Sequence, residues 1–148
     1  MNGNELGAVV VGVADTPAAG AALARGVREA RQRHAGLRLV RVWREVDLLF
    51  SMTRAEVARL ASSEQANKLL LERAAWQARS QAPDLRVAAD LLPGDLFETL
   101  AGVSKDAQLL VIGSDTPDSD SEIATWLRQH ALCPVLVVEE ASASTPAP

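Results

Sequence analysis

Apolar residues along the chain fall into two kinds of pattern that alternate. "GAVVVGV" (7–13) is a short β-branched run, too brief for a helix and suited to a strand buried on both faces. "DTPAAG" follows, where Thr16 is placed to cap a helix and Pro17 to occupy its first position. Leu23, Val27, Ala30 and His34 then recur at helical spacing, and Gly36 offers a stop. "LRLVRVW" (37–43) alternates as a strand does. Residues 44–53 carry no clear period. The helical region after them changes phase near "ASSEQ": Val57, Leu60 and Ala61 share one stripe, whereas Ala66, Leu69, Leu70 and Ala74 share another. Ser62 and Gln65 have capping-box spacing, so a short helix, a break and a longer helix to about residue 81 are expected.

"DLRVAADLL" (84–92) reads as a third strand, and "PGD" turns the chain. Asp95 and Glu98 can cap a helix carrying Leu96, Leu100 and Val103 inward. "QLLVIGS" (108–114) is a fourth strand; Ile123, Trp126, Leu127, His130 and Ala131 form the stripe of a last helix; "PVLVVE" (134–139) is a fifth strand. Alternation of short apolar strands with helices predicts an α/β domain whose parallel sheet is covered on both faces. Ligands in such sheets sit beyond the carboxyl ends of the strands, where the winding direction reverses. The ends that matter are therefore "GVADT", "RVWRE" and "VIGSD".

Composition narrows the class. The 148 residues suffice for one domain with a full core, divided here into an N-terminal extension (1–6), a folded unit (7–140) and a disordered tail (141–148). No uncharged apolar run approaches the roughly 20 residues needed to span a bilayer, and "MNGNELG" lacks the basic-then-apolar order of a secretory signal. The single cysteine, Cys133, has no internal partner and suits a reducing compartment; the expectation is a cytoplasmic protein without membrane contact. A net charge of −4 argues against nucleic acid as partner, although seven arginines lie between residues 25 and 44. Arg25 and Arg28 fall opposite the apolar stripe, as a solvated face requires.

Catalytic signatures are absent: no Walker A sequence, G-x-S-x-G elbow, CxxC or HExxH occurs. His34 and His130 fit structural positions near helix C-termini, and Cys133 a small core position. Trp126 lies on a core stripe and Trp76 beside one. Trp43, ending the second strand, is either a packing residue at the rim, a stacking surface for a base or a plug. "DTPDSDSE" (115–122) offers carboxylates to a divalent cation but lacks the turn glycine and distal glutamate of an EF-hand loop. These acids serve more simply as helix caps.

In order and spacing, "VVVGVADTPAAGAAL", "LRLVRVW", "LLPGDLFETL", "AQLLVIGS" and "RQHALCPVLVVEE" resemble a universal stress protein domain over Ala8 to Val138. The resemblance implies an open, doubly wound, Rossmann-like sheet of the adenine nucleotide alpha hydrolase-like kind, with strand order 3-2-1-4-5. It also implies a homodimer joined through the last strand, at Val135, Leu136, Val137 and Val138. Independently, an apolar edge strand without internal charge calls for a partner.

Family members that bind ATP carry G-x2-G-x9-G-[ST] after the fourth strand and an aspartate ending the first. Here Gly113 matches the first glycine, Thr116 stands at the second, and the G-[ST] pair falls on Ser121 and Glu122 in a loop about five residues short. Ala14 stands at the aspartate position, with Asp15 beside it. A triphosphate entering beside Asp115, Asp118, Asp120 and Glu122 would meet repulsion of about 1 kcal/mol per charge pair, taking ~8 Å and an effective dielectric of ~40. The expectation is a non-catalytic regulatory or protective protein without family-style ATP binding and without a cofactor, working through an unidentified protein partner. The alternative is a module holding ATP or AMP, assisted by Mg2+, in a vestigial pocket formed by Ala14, Asp15, Thr16, Val42, Gly113 and Ser114.

Overall fold

The computed structural model describes residues 7–43, 53–114 and 121–139, together with the backbone but not the side chains of 57–62. The expected N-terminal extension and disordered tail lie outside these residues, as do Asp115, Thr116, Asp118 and Asp120. Five strands alternate with four helices: β1 (Ala8–Gly12), α1 (Ala19–Gln32), β2 (Leu37–Trp43), α2 (Arg54–Gln81), β3 (Val87–Pro93), α3 (Leu96–Ser104), β4 (Ala107–Ser114), α4 (Glu122–His130) and β5 (Val135–Glu139). They form one parallel sheet of order β3-β2-β1-β4-β5, as expected. Val11 sets the central register, opposite Leu39 on one side and Val111 on the other.

Because strand side chains alternate faces, β1 feeds two cores. Val9 and Val11 join Leu37, Leu39 and Val111 under α1 and α2. Val10 joins Val40, Leu110 and Ile112 under α3 and α4, against Leu100, Ala124 and Leu127. Burial on both faces is what selected uninterrupted apolar strands.

Several local expectations are corrected. Helix α1 starts at Ala19 with Ala18 as a cap that has no side-chain bond; Thr16 instead lends its carbonyl to Ala19 N–H (3.0 Å) in the preceding turn. It ends before Gly36, because His34 adopts a left-handed conformation (φ 53°) and Ala35 N–H reaches back to Ala30 O at 2.9 Å. His34 is therefore exposed and off the apolar stripe. Helix α2 runs unbroken through "ASSEQ". Nothing between Arg54 and Gln81 is glycine or proline, so two serines alone do not interrupt a stretch rich in helix formers.

The cap of α2 is Thr53, whose hydroxyl accepts Glu56 N–H (3.1 Å) while the Glu56 carboxylate accepts Thr53 N–H (3.3 Å). Its buried stripe is Leu71, Ala74, Ala75 and Ala78; Leu69 and Ala66 face solvent. Asp95 caps α3 as expected, by accepting Glu98 N–H at 3.0 Å, but Leu96 is exposed and Leu100 fills the core. In α4, Ala124 and Leu127 are buried, whereas His130 is exposed and stacks on Trp126 at 4.0 Å.

No helix among the described residues is long and apolar enough to cross a membrane.

Candidate functional site

Chain order departs from spatial order beside β1: successive crossovers run outward to β2 and β3, then return to β4 on the other side. Strand ends at this reversal leave a crevice that elements do not cover. Three adjacent strands bring the sequence-predicted residues to this end of the sheet. Ala14, Asp15 and Thr16 follow β1, Val42 lies near the end of β2, and Gly113 with Ser114 ends β4.

Their surroundings differ. Ala14 is half-buried, and Asp15 and Thr16 are exposed in the turn before α1. The Val42 side chain packs into the α3–α4 core. Gly113 meets the start of α1: a methyl group added there would lie 3.0 Å from Ala18 O and 3.1 Å from Ala18 Cβ. The absence of a side chain at 113 is thus used by the protein's own backbone. Ser114 is buried.

Beyond the loop, Ser121 is buried and caps α4. Its hydroxyl accepts Ala124 N–H at 3.2 Å, while its carbonyl accepts Thr125 N–H at 3.1 Å. Glu122 stands in the first turn and Arg128 in the last, so charges of both signs complement the helix dipole. The cap is thus a serine rather than one of the acids of the loop; Asp115, Asp118 and Asp120 lie outside the described residues, and Glu122 sits one position inside the helix.

Arg41 was missed. It lies on the same face of β2 as Leu37 and Leu39, so its side chain points under α2 rather than outward. There Nε donates to Asn67 Oδ1 at 2.6 Å and Nη1 to the Val13 carbonyl at 3.1 Å. Burial pulls its guanidinium below the usual value, and the negative charge of Asp15 opposes that shift. Strand alternation in "LRLVRVW" held the signal: an arginine at an inward position near a strand end needs internal acceptors. This clamp fixes the backbone that leads from β1 to Asp15. Beside it, Val13, Ala14, Gly20, Leu70 and Arg73 line a small hollow of about 70 Å³.

Trp43 is half-buried and its carbonyl accepts Gly94 N–H at 3.0 Å. Cys133 is half-buried, and burial pushes its thiol pKa up, away from thiolate reactivity. Among the described residues, no group of three or more His, Cys, Asp or Glu side chains could hold a metal ion.

Comparison with known proteins places this geometry. A family model described as the Universal stress protein family matches residues 6–139. A universal stress protein of Mycobacterium tuberculosis is 28% identical over 162 residues, covering 99% of this chain and 52% of the relative. The chain therefore spans about half the length of the curated relatives it matches. Among solved structures, the universal stress protein UspA from Lactobacillus plantarum superposes with a TM-score of 0.72 at 20% identity, covering 90% of this chain and 98% of that one. The universal stress protein from Archaeoglobus fulgidus in complex with dAMP does so at 0.66 and 18%, with coverage of 90% and 98%. At such identities the superpositions speak for the fold.

Proposed function

The chain belongs to the universal stress protein family, and from that premise we propose a non-catalytic regulatory or protective member that does not hold ATP in the family's manner. The observation that carries this reading is the state of the α4 N-terminus. A helix N-terminus binds phosphate through free N–H groups and its dipole. Here the Ser121 hydroxyl, from a buried residue, takes the Ala124 N–H, and Glu122 adds a negative charge to the first turn. The packing of Ala18 against Gly113 supports the same reading, since it fills the approach that a glycine would give to a ligand. The protein acts as a homodimer through β5 and reaches its effect through contacts with another protein. β5 is the sheet's outer strand, bonded to β4 alone among the described strands, and Val135, Leu136 and Val137 are only half-buried.

A second reading rests on the dAMP found in the Archaeoglobus fulgidus structure. In it this chain would hold AMP or ATP with Mg2+ by base and ribose, in the pocket of Ala14, Asp15, Thr16, Val42, Gly113 and Ser114. Calorimetric titration of the purified protein with ATP and AMP, with and without Mg2+, separates the two. No saturable heat at micromolar ligand is the expected outcome. Binding that needs Mg2+ would favour the second reading, and tight metal-free binding of ATP would overturn the first.

A further inference from the structure

At the opposite end of the sheet, a cleft of about 470 Å³ opens between the C-terminus of α1 and the segment leading into β3. That volume lies within the range of small-molecule sites, roughly 300–1,000 Å³. Ala30, Leu85 and the backbone at Gly36 contribute to its lining, and Arg31, His34, Asp84 and Arg86 surround it. Leu37 N–H bonds the Arg86 carbonyl at 2.8 Å, which ties the β3 side of the cleft to β2. Two guanidiniums, an imidazole and a single carboxylate, all on exposed residues, thus stand around one opening. Among the described residues none of these four side chains has an ion pair or a side-chain hydrogen bond; the arginines Arg25, Arg33 and Arg38 nearby in sequence all do.

His34 supplies an independent observation. It holds the left-handed position that closes α1, with φ at 53°, where glycine is the unstrained choice. Non-glycine residues held in such conformations carry a backbone cost and gather at ligand sites, although histidine is among the side chains that adopt them most readily. His34 and Arg31, both at the end of α1, contribute to the lining of the same cleft.

We propose that this cleft binds a phosphate monoester. Planar guanidinium forks match phosphate oxygens bidentately. A dianion is favoured because each of the two guanidiniums attracts it about twice as strongly as a monoanion, which outweighs the repulsion of the single Asp84 carboxylate, and a hydroxyl or amine on the ester's body gives that carboxylate a donor. The site is separate from the strand ends discussed above, so its fate is independent of theirs.

Ribose 5-phosphate, inorganic phosphate and free ribose, titrated into 15N-labelled protein and followed by amide shifts, test the proposal. Saturable shifts confined to residues 31–36 and 84–86 are expected with ribose 5-phosphate, weaker ones with inorganic phosphate and none with ribose. Arg31→Gln combined with Arg86→Gln should weaken binding by at least about tenfold, as loss of charge-assisted hydrogen bonds implies. His34→Gly should weaken binding several-fold while raising Tm, which a purely structural histidine would not do. Absence of cleft shifts at millimolar ribose 5-phosphate, shifts only around residues 113–122, or undiminished affinity in the double variant would overturn it. Equal affinity for inorganic phosphate would overturn the monoester assignment.

Discussion

Glu29 shows how single residues set the solution behaviour of α1. Arg25 Nε donates to one carboxylate oxygen at 2.9 Å and Arg33 Nε to the other at 3.3 Å. The Arg25 hydrogen bond holds the carboxyl below the usual range; burial opposes this, and Arg33 adds to it. A carboxylate with a lowered folded pKa binds fewer protons in the folded state than in the unfolded chain. Its stabilisation is therefore complete above the ordinary glutamate pKa and fades as pH falls through the lowered value. Arg25→Gln is expected to flatten that acid limb in urea titrations taken between neutral and mildly acidic pH. An unchanged pH dependence would show that the Arg25 contact has no energetic weight. Gly26 acts at the same scale through shape. A methyl group there would overlap Val11 Cγ2, inside the core and against a buried, branched side chain. Overpacking of this kind costs about 1–3 kcal/mol, against roughly 1 kcal/mol of helix propensity gained. Gly26→Ala should lower Tm, by about 2–4 °C for each net kcal/mol in a domain of this size.

Among the elements, strands were the most legible. "LRLVRVW" maps onto β2 without error, because a β-branched, alternating run admits one reading. Caps with a carboxylate or hydroxyl three residues before a free N–H were readable too, as at Asp95. The errors have a common cause: local chemistry was trusted where packing decides. Thr16 has the right side chain for a cap, yet α1 begins where Ala18 can sit against Gly113. Ser62 and Gln65 have the right spacing for a break, yet α2 continues, and its buried stripe follows Leu71 rather than Leu69. At the site, Gly113 was visible as a glycine but not as the seat of Ala18, a contact spanning nearly a hundred residues of sequence. Arg41 was visible only to a reader who assigned it a face.

For the whole molecule, the sheet order makes β3 and β5 the two edges, and they differ. On the β3 edge one carbonyl is taken up from within the chain: Arg79 Nη2 donates to Val87 O at 3.3 Å. Exposed edges call for such devices. On β5, the central residues Leu136, Val137 and Val138 carry no charge, which is the physical ground for the proposed dimer. Light scattering is expected to give the mass of two chains, and Val137→Lys that of one; a single-chain mass in both would remove the dimer. Neither result touches the strand ends, whose occupancy is the central claim. Protein isolated without added nucleotide, denatured and analysed by mass spectrometry, answers it directly. The account predicts no stoichiometric adenosine polyphosphate in the released fraction; one ATP per chain, lost when Ser121 is exchanged for aspartate, would contradict it.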